Sequence, residues 1–173
     1  MKRLLSLFIF ISLILTLTST ISTAQGKFGT VGKTFSKNEA RILFGKVMGS
    51  IRVEKTLVEK ALARADNYVL FAIKNSRVHI LGENKFSLTD INFSLGKEEV
   101  AYMFSTSVVK EFLNKTKGKF LTFELRYNQP VNQLNKSGEM STTSDNTGSI
   151  IFTVTGDEET LEMSFICPPI CPN

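Results

Sequence analysis

The sequence predicts an α+β domain with a mainly antiparallel sheet and about three helices, preceded by a cleaved signal peptide. Three observations carry this expectation. Apolar residues switch between helical and alternating periodicity along the chain. Strand-like runs follow one another across short turns, with helical runs set between groups of them. After the leader, about 149 of the 173 residues remain, enough for one hydrophobic core and too few for two full domains.

The leader has three parts. Lys2 and Arg3 precede the apolar stretch Leu4 to Leu17, and "TSTISTA" follows, with Ser22 and Ala24 at the −3 and −1 positions of a small-residue cleavage site. As a helix, 14 apolar residues reach only ~21 Å, short of a hydrocarbon core of roughly 30 Å, which favours a signal peptide over an anchor. Residues 1–24 are therefore expected to be removed and the protein to be secreted or periplasmic, with no stable membrane span afterwards. No cysteine lies near the site, which excludes a bacterial lipoprotein anchor.

Residues 25–35 read as a flexible lead-in, and 36–173 as the single domain. Ser36 and Glu39 have the spacing of a capping box, and Ala40, Leu43, Phe44 and Val47 continue on one helical face towards a stop at Gly49. Phe35 precedes the cap as a hydrophobic staple would. "SIRV" reads as a short strand. Thr56 and Glu59 suggest a second capping box, with Leu57, Val58, Ala61, Leu62 and Ala65 as the apolar face. "YVLFAI", Tyr68 to Ile73, is uniformly apolar and reads as a central strand covered on both faces. "VHIL" and "KFSL" follow across "KNSR" and "GEN" and complete an expected antiparallel meander.

Asp90 to Lys97 read as loop. "VAYMF" reads as a strand, followed by a helix from about Ser107, where Ser105, Thr106 and Ser107 cluster as a cap. In "KFLTFELRY", Leu121, Phe123, Leu125 and Tyr127 alternate with Thr122, Glu124 and Arg126. The polar stretch 132–148 reads as a mobile loop. A closing hairpin places Ile150, Phe152 and Val154 before "GDEE", and Leu161, Met163 and Phe165 after it.

Composition narrows the chemistry. The mature chain carries 19 basic and 16 acidic residues, a net charge near +3, with the bases spread rather than striped. That distribution argues against nucleic acid. His79 is the only histidine, so a Ser-His-Asp or Cys-His mechanism would have to run through it. In "VHIL" it alternates away from Val78 and Ile80 and reads as a surface histidine. The carboxylates Glu98 with Glu99, and Asp157 with Glu158 and Glu159, are the available pairs for acid–base work. They read as solvated acids, the first pair preceding a strand and the second group occupying a hairpin turn. "GTVGKT", Gly29 to Thr34, ends like a phosphate-binding loop but lacks the preceding strand and the full glycine spacing, since Gly26 and Gly29 both fall at the wrong distance from Gly32. Sequons at Asn92 and Asn114 would matter only in a eukaryotic secretory pathway.

Both cysteines, Cys167 and Cys171, lie in the terminal "ICPPICPN". Pro168 and Pro169 remove the backbone N–H groups that would stabilise a thiolate, and zinc would need more ligands than two thiols and one distant histidine. Export and the even count favour a local disulfide. Four extended residues span ~12 Å, whereas a disulfide needs roughly 4.4–6.8 Å between Cα atoms, so the chain must turn there. A bridge closing so small a loop would contribute about 2 kcal/mol.

Taken together, these residues predict an exported bacterial domain, secreted or periplasmic and non-enzymatic, that binds a protein, a small ligand or an envelope component without a cofactor or metal. The alternative is a small exported enzyme using carboxylates or the terminal cysteine pair.

Overall fold

The computed structural model describes residues 27–90, 92–127, 150–162 and 164–167. The expected signal peptide at 1–24, the loop at 132–148, Met163 and Cys171 lie outside the described residues. Among those described, three helices and nine strands form one α+β unit. No described helix is long and apolar enough to cross a membrane.

The strands pair antiparallel, as expected, and divide between two sheets. The first has five strands in the order β1 (Lys33–Ser36), β8 (Glu159–Glu162), β7 (Ile150–Thr155), β6 (Phe120–Tyr127) and β2 (Val47–Glu54). The second has four, in the order β4 (Arg77–Leu81), β3 (Tyr68–Lys74), β5 (Ala101–Ser105) and β9 (Phe165–Cys167). The helices are α1 (Lys37–Leu43), α2 (Lys55–Leu62) and α3 (Thr106–Lys115).

The main core joins one face of each sheet to α2 and α3. Val69, Phe71, Ile80 and Phe104 come from the four-stranded sheet, and Leu121, Phe123, Phe152, Val154 and Leu161 from the five-stranded one. Val58, Ala61 and Leu62 of α2 and Val109, Phe112 and Leu113 of α3 complete it. Phe152 is the aromatic hub. Its ring stacks on Tyr102 at 4.3 Å between centroids and lies 6.0–6.2 Å from those of Phe71, Phe104 and Phe123. Offset and tilted arrangements at such distances suit the ring quadrupoles.

A second apolar cluster covers the other face of the four-stranded sheet: Tyr68, Leu70, Ala72, Leu81, Ala101 and Met103, closed over by Val31 and Leu95. The strand "YVLFAI" is therefore interior and covered on both faces, as its unbroken apolar run predicts. Part of the expected flexible lead-in supplies this cover. Val31 and Ser105 exchange backbone and side-chain hydrogen bonds at 2.7 and 2.9 Å, and Tyr68 Oη accepts from Phe28 N and donates to the Gly29 carbonyl. Lys33 to Phe35 then pair in β1.

Several boundaries differ from the sequence expectation for identifiable reasons. The capping box of α1 forms, with Glu39 N donating to Ser36 Oγ and Ser36 N donating to Glu39 Oε2. The helix nevertheless ends at Leu43, because Gly45 takes φ +66° and turns the chain into β2, which absorbs Val47 to Gly49. Phe35 packs edge-on against Phe44 across this helix, with centroids 5.0 Å apart. Thr56 is not a cap: α2 starts at Lys55, and its N-cap Glu54 makes no side-chain capping bond. The turn after β3 runs through Asn75 and Ser76, both at positive φ, and forms the expected hairpin with β4.

"KFSL" is not a third strand of a meander. It lies in a crossing segment, residues 82–100, tied by isolated bridges and by bonds such as Leu88 N to the Ile80 carbonyl at 2.8 Å. The closing hairpin is also shorter than expected. β7 and β8 pair, but Phe165 leaves that sheet and joins β9 beside β5.

Candidate functional site

The outer face of the five-stranded sheet carries polar side chains where the four-stranded sheet carries apolar ones. Strand alternation puts Thr122, Glu124 and Arg126 of β6 outward because Leu121, Phe123 and Leu125 point into the core. On β7, Thr153 and Thr155 face the same way as a consequence of the inward Phe152 and Val154; Glu124 stands opposite Thr153 in the ladder. Lys37 and Arg41 of α1, with Gly45 and Lys46 of the turn that follows, border this face.

At its centre, Glu124 and Arg126 form an ion pair, each only 9% exposed. Arg126 Nε and Nη2 both donate to Glu124 Oε2, at 3.0 and 2.7 Å. Thr153 Oγ1 and Thr155 Oγ1 donate to the same oxygen at 3.2 and 3.0 Å. Arg126 Nη1 reaches the Gly45 carbonyl at 3.2 Å and so ties the strand to the turn that ends α1. The bonds fix both side chains, and each charge is compensated by its partner, which is the condition for burying them. Oε1 of Glu124 has no hydrogen-bond partner among the described residues.

Above this pair lies a cleft of about 540 Å³, whose polar floor includes Thr122, Glu124, Arg126, Thr155 and Thr160. Its rim carries Lys37 and Arg41 of α1 and Lys46 of the following turn. All three rim cations are exposed, and none makes an ion pair with a described residue. Four basic groups therefore surround one acid, and the acid is already bonded to one of them. The volume falls within the range of roughly 300–1,000 Å³ typical of small-ligand sites.

The groups singled out from sequence lie elsewhere. His79 is half-buried and stacks on Phe93, with ring centroids 3.6 Å apart, on the face opposite the core residue Ile80. Glu98 and Glu99 end the segment that crosses the four-stranded sheet. Lys74 Nζ and Gly96 N both donate to Glu99, and the Lys74 bond, with that amide second, holds its carboxyl below the usual range. Asp157 and Glu158 lie in the β7–β8 turn of the other sheet, and Glu159 opens β8. Asp157 accepts from Gly118 N, the Glu158 carbonyl accepts from Lys37 N, and Glu159 lies 3.6 Å from Lys115 Nζ. The two acidic groups are thus not brought into one site.

Gly32 stands at φ +100°, where a Cβ would come within 2.8 Å of the Phe104 ring. It is a close-packing glycine, and the residues after it enter strand β1 rather than the helix a phosphate-binding loop requires. Cys167 pairs through its backbone with Ala101 in β9; Cys171, and with it the expected disulfide, lies outside the described residues. No group of three or more His, Cys, Asp or Glu among the described residues is placed to hold a metal ion.

Comparison with protein-family models, with curated proteins and with solved structures finds no match to this chain. The reading of its function rests on the cleft itself.

Proposed function

We propose that the protein is an exported, non-enzymatic binding domain whose cleft takes a small acidic ligand. The observation that carries this reading is the rim: Lys37, Arg41 and Lys46 surround the cleft without ion-pair partners of their own among the described residues. A concave site lined by one sign of charge concentrates ligands of the opposite sign. The floor supports binding rather than turnover. Glu124 is held by four donors on one oxygen, and the described lining offers threonine hydroxyls but neither histidine nor cysteine to activate them. Export through residues 1–24 would place the cleft outside the cytoplasm, facing envelope components or extracellular solutes.

Calorimetric titration of the purified protein with small carboxylates and phosphates tests the cleft. Acids should bind in preference to matched neutral compounds, and affinity should fall as salt rises. Replacing Lys37, Arg41 and Lys46 together by Gln should abolish that binding and leave the fold intact, since all three are exposed. Equal binding of acids by the triple variant would overturn the proposal. N-terminal sequencing of protein from native cells tests export separately: a start near Gln25 is expected, and an intact Met1 would overturn that part.

A further inference from the structure

Arg126 is buried with hydrogens to spare. A guanidinium carries five N–H groups. Three are spent: Nε and one Nη2 hydrogen converge on Glu124 Oε2, and one Nη1 hydrogen goes to the Gly45 carbonyl. One hydrogen on each terminal nitrogen is left without a partner among the described residues. Arg126 is only 9% exposed, and buried polar groups are almost always paired. Because it lines the cleft, an acceptor for those hydrogens comes from there. Adjacent N–H groups on two nitrogens match two oxygens of one anion, and a guanidinium fixed by Glu124 and Gly45 is already oriented. The hydroxyl of Thr122, a further lining group, also has no partner among the described residues.

Floor and rim therefore contribute different things. The Glu124–Arg126 pair cancels in charge, so the floor supplies directed donors, and the rim of Lys37, Arg41 and Lys46 supplies the positive charge. A carboxylate seated on the two Arg126 hydrogens turns both its oxygens to the floor and its carbon stem to the rim. The rim cations are then left facing carbon. A tetrahedral anion seated the same way keeps further oxygens on its outer side, turned towards those cations. Lys46 is the best placed in sequence to meet them, since it follows the Gly45 whose carbonyl holds Arg126. A halide has no pair of oxygens for the floor. The cleft volume of about 540 Å³ admits a tetrahedral anion with a small organic remainder.

We infer that the acidic ligand is a phosphate, free or carried as a monoester, held at two oxygens by Arg126 and met at its outer oxygens by the rim. The inference rests on the acidic-ligand reading of the same cleft and narrows it. Arg126 becomes a direct, specificity-determining contact, and Glu124 the residue that positions it.

Calorimetric titration with phosphate, glycerol phosphate, acetate and succinate at one pH and ionic strength tests it. Both phosphates should bind at least about tenfold more tightly than either carboxylate, the scale of one hydrogen bond to a charged group. The tighter of the two phosphates identifies the free or the esterified form. Arg126→Lys keeps a cation beside Glu124 and removes the pair of terminal nitrogens. It should bring phosphate affinity down to that of acetate, and a folded variant that kept the preference would overturn the assignment of Arg126. Lys46→Gln leaves the ion pair untouched and provides the decision if Arg126→Lys fails to fold by circular dichroism. It should weaken phosphate several-fold and acetate little, because only phosphate turns oxygens towards the rim. Equal losses would overturn that seating. Wild-type protein that bound acetate or succinate as tightly as phosphate would overturn the phosphate inference and leave the acidic cleft standing. Binding of none of the four would overturn both.

Discussion

The two sheets share a core, but their outer faces are built on opposite terms. On the four-stranded sheet, Leu70 and Met103 stand opposite each other, fully buried beneath the crossing segment and the residues around Val31. On the five-stranded sheet, the corresponding layer is Glu124, Arg126 and threonines beneath a cleft. The first face is closed by apolar contact, which is non-directional and tolerates an irregular cover. The second holds its charges through directed hydrogen bonds, which demand a defined geometry and leave specific groups facing outward. The difference teaches where function is to be sought: the face that binds its own chain completely has nothing left to offer a ligand.

The largest expected effect comes from breaking the directed face. Arg126→Met leaves Glu124 buried without its counter-charge and releases the Gly45 carbonyl, so stability should fall by about 3–5 kcal/mol in urea denaturation. The double change Glu124→Leu with Arg126→Met should recover much of that loss, because no unpaired charge remains. If the single change were nearly neutral, the pair would not organise that face.

A smaller loss is expected on the closed face. Leu70→Ala empties part of the second cluster and should cost about 2–5 kcal/mol. Acid binding by the remaining folded protein should be unchanged, since Leu70 lies on the other sheet. Loss of binding in step with stability would show that the two faces are not independent.

The same contrast explains what the sequence could reveal. "YVLFAI" announced a strand buried on both sides, and the alternation of Leu121, Phe123 and Leu125 announced which face of β6 points inward. Both readings follow from local period. The partition into two sheets did not, because whether Phe165 pairs with the hairpin or with β5 is decided by contacts distant in sequence. Glu124 and Arg126 were legible only as the polar side of a strand. Their burial depends on α1 and Gly45 folding over them, and Gly45 ends that helix sooner than its apolar spacing suggests. The signal present was the three threonines that face Glu124 from β7 and β8, an unusual polar cluster among strands with apolar inner faces. The acids that stood out as pairs, Glu98 with Glu99 and the 157–159 turn, stood out because they are adjacent in sequence, a property that carries no information about a shared site.

The smallest expected effect separates the two faces by pH. Each has one carboxyl held below the usual range. Glu99, in the segment that closes the four-stranded sheet, is lowered chiefly by its hydrogen bond from Lys74 of β3, and Glu39 chiefly by the Ser36 hydroxyl in the cap of α1, the wall of the cleft. A carboxyl with a lowered folded pKa binds protons more weakly when folded than when unfolded. Its contribution is present above the unfolded carboxylate range and is lost as pH falls through the lowered folded value. Acidification should therefore loosen both regions, and substitution should assign each loss. Glu99→Gln should flatten the acid dependence of hydrogen exchange at the Leu95 amide, which bonds to the Lys85 carbonyl within the crossing segment. It should leave exchange at Phe44, whose amide closes α1 on the Ala40 carbonyl, as pH-dependent as before. Glu39→Gln should do the reverse. Because both carboxyls are exposed and screened by solvent, each change should be small beside the losses from Arg126 or Leu70. If one substitution flattened the acid response at both amides, the two faces would open as a single unit.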